Sequence, residues 1–96
     1  MITEAYRYRF AEQVDLHDAE ETLLLSILAV EGLFGEARVN MDAAHATDPG
    51  IHVIVVDAST HVGQAINAIF NTFLTKEFGS GSFDVRRVAG LREVSR

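Results

Sequence analysis

Along this chain the spacing of apolar residues changes several times. Tyr6, Tyr8 and Phe10 alternate with Arg7 and Arg9, the period of two expected of a half-buried strand. From Ala19 to Glu31 the pattern turns helical, and Leu23, Leu24, Leu25, Ile27, Leu28, Ala29 and Val30 point in nearly every direction around the axis. A helix apolar almost all round has to be covered on more than one side. Asp18 and Glu21 stand at capping-box spacing, and Asp15, Asp18, Glu20 and Glu21 gather where the helix dipole favours negative charge. Beyond Gly32 and Gly35 a period of two returns. Ala37, Val39, Met41 and Ala43 fall on one side and Arg38, Asn40 and Asp42 on the other, which predicts a second strand. Thr47-Asp48-Pro49-Gly50 is a turn signal, because proline presets one central residue and glycine tolerates the next.

The strongest pattern runs from Ile51 to Gly79. Ile51, Val53, Ile54, Val55 and Val56 are β-branched, and only His52 interrupts them, so a strand covered on both faces is expected. Ser59 or Thr60 then caps a helix in which Val62, Ile66, Ile69, Phe70 and Phe73 form one stripe. Gly79 offers its exit. Phe83–Val88 reads as a last strand, and the patternless tail, residues 89–96, is expected to fray.

Strand, helix, strand, strand, helix, strand is the ferredoxin-like split arrangement. The expected fold class is α+β: a single domain over residues 1–96, with a four-stranded antiparallel sheet in the order 4-1-3-2 and two helices on one face. Such a fold hosts enzymes, sensors, nucleic-acid binders and purely structural modules, so it selects no function by itself.

Composition narrows the choice. A formal net charge of −6 argues against a phosphate backbone or an anionic membrane as the main partner. The aromatic stripe Tyr6, Tyr8 and Phe10 resembles a base-stacking platform, but the companion strand carries no aromatic residue, and core packing is the simpler role. With no cysteine, disulfides, thiol catalysis and thiolate metal sites are excluded, and a cytoplasmic location is the compatible expectation. No basic-then-apolar signal opens the sequence, and Leu23–Val30, broken by Ser26, is too short to span a bilayer.

Three local arrangements carry candidate chemistry. Asp57, Ser59 and His61 supply the residue types of a hydrolase triad, but residues this close on one turn seldom align in series, and GxSxG is absent. The same turn suits an anion better, with free amides at the helix start, Ser59 and Thr60 beside them, and Gly63 allowing close approach. His45 and His52 fall opposite each other if the hairpin closes through Thr47–Gly50. With Asp48, or Asp15 or Asp18, they then form a candidate zinc site. A two-residue Pro49-Gly50 loop offsets the pair. Zinc is the one cofactor these residues suggest.

The best expectation is a noncatalytic, self-associating module, most simply a homodimer. Its contact is either the open sheet face, through Val53 and Val55 bordered by Arg7 and Arg9, or the first helix, through Leu24, Leu25 and Leu28. The alternatives are a small-ligand or metal-binding sensor, and a small enzyme with its site at a dimer interface.

Overall fold

A computed structural model describes residues 4–89, so the expected fraying of the tail falls, from residue 90 on, outside the described residues. In chain order the elements are β1 (Ala5–Phe10), α1 (Leu16–Phe34), α2 (Glu36–Asp42), β2 (His45–Asp48), β3 (Val53–Asp57), α3 (His61–Phe78), a 3₁₀ turn (Ser80–Ser82) and β4 (Phe83–Val88). The fold is α+β, with a four-stranded antiparallel sheet in the order β2-β3-β1-β4 and three helices rather than two.

Period two in β1 has the expected meaning. Tyr8 and Phe10 are buried against the helices, with Ile54 and Val56 of β3 in the same core. Tyr8 stands opposite Ile54 on one side and Val85 on the other. Its ring meets that of Phe70 at 4.8 Å between centroids, and Phe10 meets Phe83 at 6.1 Å. The aromatic stripe is therefore core. Helices α1 and α3 complete it through Leu16, Ala19, Leu23 and Val30 on one and Val62, Ile66, Phe70 and Leu74 on the other. Each fully buried aliphatic side chain among these contributes roughly 1.5–3 kcal/mol relative to exposure. In α3 the stripe turns inward at Leu74, and Phe73 is left 37% exposed.

Residues 37–43, expected as a strand, instead form most of α2. Glu36, Ala37, Arg38 and Met41 are strong helix formers, and only Val39 reaches the core. The apparent alternation came from Ala37 and Met41, both exposed, so it recorded no buried face. Helix α2 packs against α1 and α3, and Thr60 Oγ1 meets the Asp42 carbonyl at 3.2 Å where α2 ends beside the start of α3.

Helix α1 begins earlier than the capping-box spacing predicts. Asp15 is the N-cap, accepting the His17 amide at 2.9 Å, and Asp18 lies in the first turn. The chain leaves α1 through Gly35 at φ 87° and leaves α3 through Gly79 at φ 89°, backbone that residues with a Cβ adopt only under strain.

The second hairpin has a register of its own. His45 pairs with Val56, Ala46 with Val55, Thr47 with Ile54 and Asp48 with Val53, so the loop is Pro49–His52. Asp48 Oδ1 accepts the Gly50 amide at 2.9 Å and supports the turn from within. His52 closes it at φ 60°.

Candidate functional site

Two surfaces and one helix end contain the residues singled out by the sequence. The first surface lies where the start of α1 runs beside edge strand β2. His17, Glu20, Glu21, Leu23 and Leu24 from α1, with His45 and Thr47 from β2, line a groove of about 200 Å³. The fold thus brings His17 and His45 to one end, because α1 starts beside the β2–β3 hairpin. His17 Nε2 lies 3.9 Å from Glu21, one helical turn away, and both side chains are solvated. Such an exposed pair is worth little energetically.

The candidate zinc ligands do not come together. The observed register places His45 opposite Val56 and leaves His52 in the loop, where Nε2 donates to the Val14 carbonyl at 2.8 Å. Asp48 is engaged by Gly50. Among the described residues no group of three or more His, Asp or Glu side chains is placed to hold a metal ion.

At the start of α3 the candidate anion site is already occupied by the protein's own groups. Thr60 Oγ1 accepts the Gly63 amide at 2.9 Å as a helix cap. Asp57 Oδ1 accepts both the Ser59 amide at 2.7 Å and the Ser59 hydroxyl at 2.5 Å, which sets a carboxylate where an incoming anion would sit. Gly63 serves packing. A Cβ there would stand 2.1 Å from the Asp57 carbonyl oxygen and 3.2 Å from the Ala58 Cα, so glycine lets α3 press onto the strand–helix turn. Asp57 bonds Ser59 directly, with no imidazole between them as a triad requires.

The second surface is the outer side of α1. Every exposed position between Leu24 and Leu33 is apolar or glycine: Leu24, Leu25, Leu28, Ala29, Gly32 and Leu33. The four leucines are 55%, 58%, 59% and 76% exposed. The opposite side of the same helix buries two polar residues, Thr22 and Ser26. Both are satisfied: Thr22 Oγ1 donates to Glu77 Oε1 at 2.6 Å, and Ser26 Oγ donates to the Thr22 carbonyl at 2.9 Å. The other face considered for association is closed at its centre. Val53 and Val55 lie on the sheet side away from α1, flanked in register by Arg9 and Arg7, and both are 0% exposed. Leu33 and Gly32 extend the α1 surface beyond the residues the pattern had marked; they lie one turn past Leu28, where the helix was expected to have ended.

Tyr8 holds the most perturbed of the resolved ionisable groups. Burial pushes its hydroxyl from the ordinary 10.0 up to about 12, and it donates to Asn67 Oδ1 at 2.6 Å. Tyr6 is also raised, first by its hydrogen bond to Glu4, at the rim of the sheet. Neither lines the groove.

No protein-family model, curated protein or solved structure matches the chain. No helix among the described residues is long and apolar enough to cross a membrane.

Proposed function

We propose that this chain is a noncatalytic, self-associating module of ferredoxin-like arrangement, whose α1 docks against a second copy. The strand order, read from its other edge, is 4-1-3-2, and the two long helices share the core with one sheet face; these support the arrangement. The observation that carries the function is the uncharged outer side of α1 from Leu24 to Leu33. On a chain with 23% charged residues, these six exposed positions carry no charge, and only the half-buried Glu31 falls among them, the kind of contiguous apolar surface that marks contact sites. Gly32 adds a second support. A helix-interior glycine costs about 0.5–1 kcal/mol against alanine, yet apart from its chain neighbours and the helix's own backbone nothing described lies within 4 Å of where its Cβ would be. Its smallness serves nothing within the chain and suits close approach from outside.

Light scattering at micromolar concentration tests this directly. The expected mass is twice the 10.5 kDa of the chain, and Leu28→Arg is expected to give a monomer with its melting temperature retained. A wild-type monomer at tens of micromolar overturns the reading.

A small-ligand module is the second reading, favoured by the two imidazoles that line the α1–β2 groove. Its volume of about 200 Å³ falls below the roughly 300–1,000 Å³ of pockets that enclose a drug-sized ligand, which ranks it second.

A further inference from the structure

We infer that two copies of this chain join along the outer edge of β2, with Ala46 facing the partner's Ala46 across a two-fold axis, to make one eight-stranded antiparallel sheet. The inference rests on the self-association reading and specifies its geometry. Strand β2 stands at the end of the sheet, and among the described residues its one strand partner is β3.

The direction of each backbone group on β2 follows from the ladder. The Asp57 amide donates to the Ala44 carbonyl at 2.9 Å, and in an antiparallel pair the hydrogen-bonded positions alternate. Ala44, Ala46 and Asp48 therefore turn their N–H and C=O groups toward β3, and His45 and Thr47 turn theirs outward. The other side of β3 gives the same parity independently. Phe10 N bonds His52 O at 3.0 Å and Ala58 N bonds Glu4 O at 2.8 Å, so the even-numbered positions of β3 serve β1 and the odd ones serve β2.

A two-fold axis perpendicular to the sheet pairs residues of the same face and so passes through a residue. Centred on Thr47, it would set His45 against Pro49, which has no N–H, and lose bonds. Centred on Ala46, it sets His45 against the partner's Thr47 and Thr47 against the partner's His45. All the outward groups of both residues are then used, four hydrogen bonds in total, and the close, non-bonded pair at the axis falls on the small Ala46. That register also places Asp48 against the partner's Ala44, so no like charges stand opposite each other on a chain of net charge −6. His45–Asp48 carries no lysine or proline of the kind that blocks an edge. Leu24 lines the groove beside this edge, so the uncharged side of α1 continues the surface. It supplies apolar area that four strand residues alone lack against the ~800 Å² per partner of a stable interface.

The test uses the absence of native cysteine. At the non-bonded axial pair the Cα atoms approach to about 4.5 Å, inside the range a disulfide spans. Full-length Ala46→Cys, mildly oxidised at micromolar concentration, is expected to run almost entirely as a covalent dimer, with Thr72→Cys on the exposed side of α3 as the collision control. Thr47→Pro removes an outward N–H and no hydrogen bond to β3, and is expected to yield a monomer that melts cooperatively. If Ala46→Cys cross-links no faster than Thr72→Cys while light scattering still reports a dimer, the edge geometry is wrong and self-association stands. A wild-type monomer removes both.

Discussion

Helices α1 and α3 cover the same core, and they treat solvent in opposite ways. Helix α3 exposes mainly polar residues, His61, Gln64, Thr72, Thr75, Lys76 and Glu77, with Ala68 and the partly covered Phe73 among them, and buries Val62, Ile66, Phe70 and Leu74, close to the division expected when a helix completes its packing inside one chain. Helix α1 exposes Leu24, Leu25, Leu28 and Leu33 and buries Thr22 and Ser26. Its interior side is nevertheless apolar elsewhere, through Leu16, Ala19, Leu23 and Val30, and its two buried hydroxyls are hydrogen-bonded. Rotating α1 to hide the outer leucines would expose Leu23 and Val30 instead. The helix has two apolar sides and the chain supplies cover for one of them.

The two glycines of these helices make the contrast sharpest. Gly63→Ala in α3 forces a Cβ onto the Asp57 carbonyl and is expected to cost at least about 3 kcal/mol, the upper end for overpacking, in denaturant unfolding. An unchanged midpoint would mean that α3 is not seated on its turn as described. Next in size is the pair Leu23→Ala and Leu28→Ala. The first leaves a cavity and is expected to cost about 3 kcal/mol, while the second stays within about 0.5 kcal/mol in the dilute monomer. Equal losses would erase the distinction between the two sides of α1.

Tyr8 probes the α3 side through pH. Its folded pKa of about 12 lies above the ordinary 10.0, so the neutral phenol is favoured in the fold. The stability tied to this is fully present below pH 10 and is lost as pH rises to about 12, on the order of 2 kcal/mol in all. Melting temperature should fall across that window, and Tyr8→Phe should flatten the fall. A small effect of the opposite sign is expected from Gly32→Ala, where open space and helix propensity favour the alanine by about 0.5–1 kcal/mol in the monomer. A loss of monomer stability there would show an intrachain role for Gly32.

Much of this was legible in the sequence because the informative segments were long and strongly patterned. The bounds of β4 and the exit of α3 at Gly79 were readable to the residue, and the cap of α3 to within one, Ser59 or Thr60. The false strand at 37–43 arose because seven residues with one buried position, Val39, carry too little burial for period to be diagnostic. The hairpin register stayed open because Pro49-Gly50 marks a turn without fixing its length, and the loop that forms is Pro49–His52. Val53 and Val55 keep the face expected of them because they pair with Arg9 and Arg7 of β1, which the hairpin register does not alter. The register that forms sets His45 opposite Val56 and leaves His52 in the loop, so the zinc site is not assembled. His17 and His45 come to one groove through the topology, since no spacing within either segment encodes their nearness.

His52 bears on the order in which this protein assembles. The hairpin it closes joins neighbours in sequence and would ordinarily be counted among the early, local structures. Its loop, Pro49–His52, lacks the Asn-Gly or Asp-Gly pair that makes a two-residue turn self-sufficient. What holds it lies far back in the chain: the ring of His52 on the Val14 carbonyl, 38 residues away, and the amide of Phe10 on the His52 carbonyl. A residue held at φ 60° without glycine's freedom needs such outside support. The pairing of β2 with β3 is thus completed by the chain that precedes α1. An excised peptide spanning the hairpin should drift among registers that the intact chain does not permit.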